Sequence, residues 1–273
     1  WFASIPYTIY FIFDRAPGNG GVVKRGSHWF RSLPIWTWYC EYFPINLDRT
    51  TPLKPTYTEK KPSPSEKTKK SSIFNPKSWK LFRRTEKYEL TGPRYIFGYH
   101  PHGIGALGAF GAIGTEGCGW SKKFPGINVS LMTLVAQFHV PLYRDYLLAL
   151  GISAVTRKNS LKVLERNHSI CIVVGAARES LMSSIRSVDL VLKRRKGFIR
   201  LALESGNVSL VPVFGFGETD CYNIVHTSEN SFSHKVQLWM KKNYGFTIPI
   251  FYARGLFNYD FGFLPFRTPI TVL

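Results

Sequence analysis

Two histidines one residue apart, His100 and His102, are the residues of this chain whose spacing most suggests chemistry. They stand in the string His100-Pro101-His102-Gly103, directly after the apolar run at 95–99. A neutral imidazole accepts a proton near neutral pH, so a histidine at the end of a strand reads as a general base. Pro101 fixes its own φ and stiffens the pair. Two plainer readings stand beside this one: structural histidines, or two ligands of a metal whose third ligand is not evident.

Two carboxylates follow similar strand ends. The run 171–174 leads into Gly175-Ala176-Ala177-Arg178-Glu179, and the run 211–214 leads into Gly215-Phe216-Gly217-Glu218. Glu179 could orient a histidine or an acceptor hydroxyl, and Arg178 could pair with a phosphate. Equally, the two could form an ordinary surface ion pair. Gly175 lacks a side chain and would let a substrate approach the backbone. Four consecutive cations, Lys193 to Lys196, precede Gly197 and suit a phosphate-bearing coenzyme or a solvated face. Cys40, Cys118, Cys171 and Cys221 are far apart and show no CxxC or CxH spacing. That pattern argues against structural zinc and for a reduced, cytosol-facing domain.

The elements that must position these groups alternate. Apolar runs at 95–99, 170–174, 209–214 and 248–252 predict buried strands. Segments 104–117, 143–150, 160–167, 197–205 and 232–243 have helical spacing or length. Strands apolar on both faces, alternating with helices, predict an α/β fold. Its mixed, largely parallel sheet would be flanked by helices, with the chemistry at the carboxyl ends of the strands. A helix starting at 104 would aim N–H groups at an anion and keep the adjacent His102 neutral. Gly105, Gly108, Gly111 and Gly114 recur every third residue and suit tight helix packing or the wall of an apolar tunnel.

Three zones divide the chain. Residues 1–50 are aromatic and basic, with Trp29, Trp36 and Trp38 near Lys24, Arg25 and Arg31. They suit a membrane-associated segment, as part of a transmembrane hairpin, or an ordinary core. Residues 51–93 are rich in Pro, Ser and Lys and read as a linker or exposed loop. Residues 94–273 carry the regular pattern. The chain starts without methionine and stops after an apolar run, and so reads as truncated at both ends. Its 36 Lys+Arg against 17 Asp+Glu give a formal charge of +19, which implies anionic company. No nucleic-acid motif is present and the basic residues are dispersed, so a membrane surface or a phosphorylated small molecule fits better.

Taken together, Tyr42-Phe43-Pro44, HPHG at 100–103, Arg-Lys-Gly-Phe at 195–198 and VPVFGFGE at 211–218 resemble the type 2 diacylglycerol acyltransferases. The stretches 141–152 and 247–262 resemble fungal members in particular. The resemblance covers nearly the whole chain and makes 94–273 an acyltransferase domain. It implies transfer of a fatty acyl group from acyl-CoA to the free hydroxyl of diacylglycerol, giving triacylglycerol and CoA, with no metal or redox cofactor. Other acceptors (monoacylglycerol, a long-chain alcohol or a sterol) and a non-catalytic lipid-binding role are the alternatives. It also implies an endoplasmic reticulum membrane and lipid-droplet location, a cytosol-facing catalytic domain, contact with membrane lipid and a possible homo-oligomer.

Some members carry Glu at the position of His100 and keep the second histidine, so His102 is expected to be the base, with His100 and Glu179 in support. Pro101, Gly103, Tyr42, Phe43, Pro44, Gly175, Arg178, Arg195, Lys196, Gly197 and Glu218 are the expected substrate-binding residues. Two departures stand out. Related acyltransferases place an Asp five residues after the His, whereas Gly105 and Leu107 occupy those positions here, so any acid partner comes from elsewhere, with Glu179 and Glu218 as candidates. The usual Gly-Gly at the second strand end is Gly175-Ala176.

Overall fold

The computed structural model describes residues 4–60, 88–175, 179, 189–225, 231–232, 235–237, 239, 250–257, 259 and 261–273. Its strands are β1 (Ile45–Leu47), β2 (Tyr57–Glu59), β3 (Tyr88–Leu90), β4 (Arg94–His100), β5 (Val129–Thr133), β6 (Ser153–Ala154), β7 (Ser169–Val173), β8 (Val208–Phe216), β9 (Asn223–Ile224), β10 (Phe251–Tyr252) and β11 (Ile270–Val272). Four helices precede β1: α1 (Ser4–Phe13), α2 (Val22–Arg25), α3 (His28–Arg31) and α4 (Pro34–Tyr42). Four more follow: α5 (Trp120–Lys123), α6 (Tyr143–Ala149), α7 (Arg157–Glu165) and α8 (Gly197–Ser205).

The main sheet runs β1-β11-β8-β4-β7-β5-β6. From β8 to β6 every pairing is parallel, β11 is antiparallel to β8, and β1 is parallel to β11. This is the expected α/β architecture. β4 is its central strand and is buried from Tyr95 to His100, as an aromatic run between two parallel neighbours must be. Alternation sends Tyr95, Phe97 and Tyr99 to one face, where Phe97 meets the edge of Trp120 at 5.2 Å. On the other face, Gly98 leaves room for Val174 and for Phe198 of α8.

Three expected elements differ. No α-helix spans 104–117; a π-helical turn, Ala109–Gly114, takes its place, and Ala106 before it is left-handed at φ 49°. The recurrent glycines explain why, since each weakens an α-helix by about 1 kcal/mol relative to Ala. The glycine stripe is a packing surface: a Cβ at Gly111 would crowd Ile45 and Cys40, and one at Gly114 would press on Leu131. The helix expected at 160–167 starts earlier, at Arg157, because the Thr156 hydroxyl caps it by accepting from the Asn159 N–H. The strand expected at 248–252 is described only at Phe251–Tyr252. Residues 248–249, most of 232–243 and linker residues 61–87 lie outside the described residues. β5, β6 and the β1–β11 edge were not anticipated. Among the described residues no helix is long and apolar enough to cross a membrane.

Candidate active site

Sheet order brings three strand ends together. β4 lies between β7 and β8, so the loop His100–Gly103 is flanked by the segments carrying Glu179 and Glu218. The His100–Pro101 peptide is cis.

Glu179 is buried and grips the histidine loop twice. One oxygen takes the Nδ1–H of His100 at 3.0 Å and the Val191 N–H at 2.9 Å. The other takes the backbone N–H of His102 at 2.9 Å. Burial pushes this carboxyl up, but the bonds from His100, Val191 and His102 outweigh it and hold its pKa below the usual value. Because a carboxylate only accepts, neutral His100 carries its proton on Nδ1 and its lone pair on Nε2. Glu179 therefore pairs with the His100 ring, one of the two histidines it could have oriented.

Gly175 explains how Glu179 fits. A Cβ there would overlap the Glu179 carboxyl carbon, so the space expected to admit substrate holds the glutamate. The Gly175 carbonyl also accepts from Arg195 at 3.2 Å, which ties the cationic stretch to the site. Lys196 is the N-terminal flanking residue of α8 and Gly197 its first residue, with open space around the Gly197 α-carbon. Arg178 lies outside the described residues.

His102 is partly buried, and its Nδ1–H donates to the Gly103 carbonyl at 3.0 Å. The neutral ring therefore has its basic lone pair on Nε2. Burial is the main influence on its pKa and lowers it, against opposing pulls from the Gly103 carbonyl and from Glu179. The expected cause was a helix N-terminus; the helical run starts at Leu107, with its Leu107 and Gly108 N–H groups turned to Glu218, and burial is the largest cause of the lowered His102 pKa.

Glu218 anchors the same loop from the other side. It is buried, and it accepts from the Leu107 N–H at 2.6 Å, the Gly108 N–H at 2.9 Å and the Tyr99 hydroxyl at 2.8 Å. Gly103, left-handed at φ 56°, lies so close that a Cβ would be 2.9 Å from Glu218 Cγ and from its carbonyl oxygen. Glu218 thus serves as an anchor rather than the expected acid partner of His102. Burial pushes its pKa up to about 7 despite the three donors. A folded pKa above the unfolded one means the native state holds the extra proton. Stability then falls as pH rises from about 4.5 to about 7, by on the order of 3 kcal/mol. Glu218→Gln copies the uncharged form: its carbonyl can take the Gly108 N–H and the Tyr99 hydroxyl, while the Leu107 N–H loses its acceptor at a cost that does not vary with pH. The difference in unfolding free energy between variant and wild type should therefore grow in the variant's favour across that window, as followed by denaturant titration. A pH-independent difference would mean that Glu218 does not titrate there.

Tyr42, Phe43 and Pro44 end α4. The Tyr42 carbonyl accepts from Arg267 at 2.9 Å, the Pro44 carbonyl accepts from the Ile270 N–H at 3.0 Å, and the Phe43 ring packs on Tyr39. Tyr39 in turn meets Phe110 of the π-helical turn at 5.6 Å, so the triplet reaches the histidine loop through that turn. Sequence reading missed Tyr99, Val191 and the Leu107–Gly108 amides. Only the tyrosine left a signal, as a polar-tipped residue one position before the motif on an otherwise apolar strand.

The family model described as diacylglycerol acyltransferase matches residues 1–58 and 79–273. The chain is 61% identical over its whole length to Diacylglycerol O-acyltransferase 1 of Saccharomyces cerevisiae, covering 67% of that protein. It is 42% identical to Diacylglycerol O-acyltransferase 1 of Schizosaccharomyces pombe and 38% identical to human Diacylglycerol O-acyltransferase 2. Again all of the chain is covered, with 68% and 61% of those proteins. No solved structure matches. With its histidine loop held between two buried glutamates and its sequence matched almost from end to end, the chain belongs to the diacylglycerol acyltransferase family.

Proposed function

We propose that the chain transfers a fatty acyl group from acyl-CoA to the free hydroxyl of diacylglycerol, with His102 as general base. The observation that carries this reading is the committed Nδ1–H of His102, which makes Nε2 the basic atom of a ring kept neutral by burial. Nε2 takes the hydroxyl proton as the oxygen attacks the thioester carbonyl carbon. The tetrahedral intermediate expels the CoA sulfur, which takes the proton from the imidazolium, giving triacylglycerol and CoA. Base assistance of this kind is typically worth about 10²–10⁴-fold. Backbone N–H groups near 103–105 are the proposed donors to the oxyanion. Arg178, Arg195 and Lys196 are the proposed partners of the CoA phosphates.

The N-terminal zone, 1–50, is the proposed membrane-associated part. The inner contacts of α1 are polar: Tyr7 and Tyr10 donate to Asp145, and Arg144 donates to the Phe11 carbonyl. Its outer residues Ile5, Ile9, Ile12 and Phe13 are exposed. A helix polar inward and apolar outward suits lipid better than water. On this reading 51–93 is a basic linker beside the membrane and 94–273 the catalytic part. The proposed location, implied by the family resemblance, is the endoplasmic reticulum membrane and the lipid-droplet surface, with that part facing the cytosol.

Membranes carrying the protein, given labelled acyl-CoA and equal amounts of diacylglycerol, monoacylglycerol and a long-chain alcohol, should place most label in triacylglycerol. A dominant wax-ester or diacylglycerol product would move the acceptor, and no label in any product would leave a lipid-binding protein.

A further inference from the structure

Between β10 and β11 the chain makes a hairpin-like excursion whose base is fixed and whose tip is apolar. The Ala253 N–H donates to the Gly262 carbonyl at 2.7 Å, and Arg254 and Leu264 exchange backbone bonds at 3.1 and 3.0 Å. The Phe266 N–H donates to the Cys221 carbonyl at 2.9 Å, pinning the return to the body of the protein. Beyond these bonds, Leu256, Phe257, Tyr259, Phe261 and Phe263 are each 70–100% exposed. From 255 to 266 the sequence holds a single charged residue, Asp260. Water gives no return for presenting so many large apolar groups on one short, tethered loop.

The base of the loop continues into α4. The Arg254 guanidinium lies 5.2 Å from the centre of the Tyr42 ring and 6.0 Å from that of Tyr259. Arg267 lies 4.8 Å from Tyr42. Tyr42 is itself exposed, as are Trp38 and Ile35 at the spacing that places all three on one side of the helix. The order is therefore an apolar tip, then tyrosines and a tryptophan, then the exposed Arg267, with Arg254 buried behind the rings. A phospholipid surface presents the complementary order from acyl chain to headgroup phosphate. We propose that Leu256, Phe257, Tyr259, Phe261 and Phe263 form a second membrane-docking element. It would insert into the phospholipid interface beside the Ile35–Trp38–Tyr42 side of α4, with the exposed Arg267 at the depth of the phosphates and the buried Arg254 bracing the loop through the Pro265 carbonyl. The proposal builds on the lipid acceptor of the proposed function. It adds that the protein meets the membrane at two places remote in sequence.

A polarity-sensitive fluorophore on Phe257→Cys tests it. Cys118→Ser removes the thiol that is not buried, leaving Cys40, Cys171 and Cys221 buried. Mixed phosphatidylcholine and phosphatidylserine vesicles should shift the emission to the blue, and bromine atoms on the lipid acyl chains should quench it. Emission indifferent to vesicles would overturn the proposal. So would a blue shift that follows protein concentration without lipid, which would assign the loop to contact between copies. In the unlabelled protein, Phe257→Ser with Phe261→Ser should weaken vesicle binding by on the order of tenfold. It should cut transfer to vesicle-borne diacylglycerol while sparing transfer to detergent-dispersed diacylglycerol. Equal loss in both would make the loop part of the fold or the site and overturn the proposal. Lipid quenching in a protein that transfers no acyl group would uphold the docking element and refute the function.

Discussion

Replacing His102 with alanine is expected to lower kcat by about 10²–10⁴-fold. The fold should survive. The His102 backbone N–H, which Glu179 holds, is still present in alanine, and the ring's bond to Gly103 is local. The melting temperature should therefore move little while label in triacylglycerol nearly vanishes. The pH profile gives a second check. Burial lowers the His102 pKa, so the wild-type rate should hold as pH falls through the ordinary histidine value near 6.5, and decline only below it. Full activity in the alanine variant would pass the role of base to His100, whose Nδ1–H is engaged by Glu179 and whose lone pair therefore lies on Nε2.

Glu179→Ala should be almost as damaging, by a different route. It leaves the buried His100 ring and two partly buried backbone N–H groups, of Val191 and His102, without the acceptor they use. Each stranded donor costs about 1–3 kcal/mol, so both stability and activity should fall. The signature of positioning is a fall in kcat with KM for acyl-CoA nearly unchanged, because the carboxylate is turned toward the loop. Its depressed pKa adds a pH test. Stability from this ionised group is present above the unfolded value near 4.3 and lost as pH falls through the folded one, so the variant should lose part of its acid sensitivity. Gly175→Ala should reproduce the kcat loss, since a Cβ there occupies the volume of the Glu179 carboxyl. A fully active Gly175→Ala enzyme would show that Glu179 need not stand where it does.

The histidine motif was legible because its signal is local: an apolar strand ends and the reactive residues follow. Glu179 and Glu218 were legible as candidates for the same reason. Their division of labour was not, because it depends on β4 lying between β7 and β8, a fact about sheet order. Fold class followed from the apolar runs at 95–99, 170–174 and 209–214. By contrast, β5 (Val-Ser-Leu-Met-Thr) carries two hydroxyl residues and no long apolar run, and it becomes a strand through its neighbours. The helix expected from 104 fails where Gly103 and Ala106 turn left-handed, a conformation stabilised by the buried Glu218 more than a hundred residues away.

The edge of the main sheet sets an order of events during synthesis. Ile45 in β1 is in register with Ile270 in β11, roughly 225 residues later, and β11 alone links β1 to β8. At about 5–20 residues per second the ribosome needs on the order of ten to forty seconds to deliver that partner. β1 therefore spends this interval without its strand partner, while the outward apolar residues of α1 and α4 are already made. A nascent chain that parks α1 and α4 against a bilayer early would shield them through the wait, and would bring β11 home to a first strand already held at the surface.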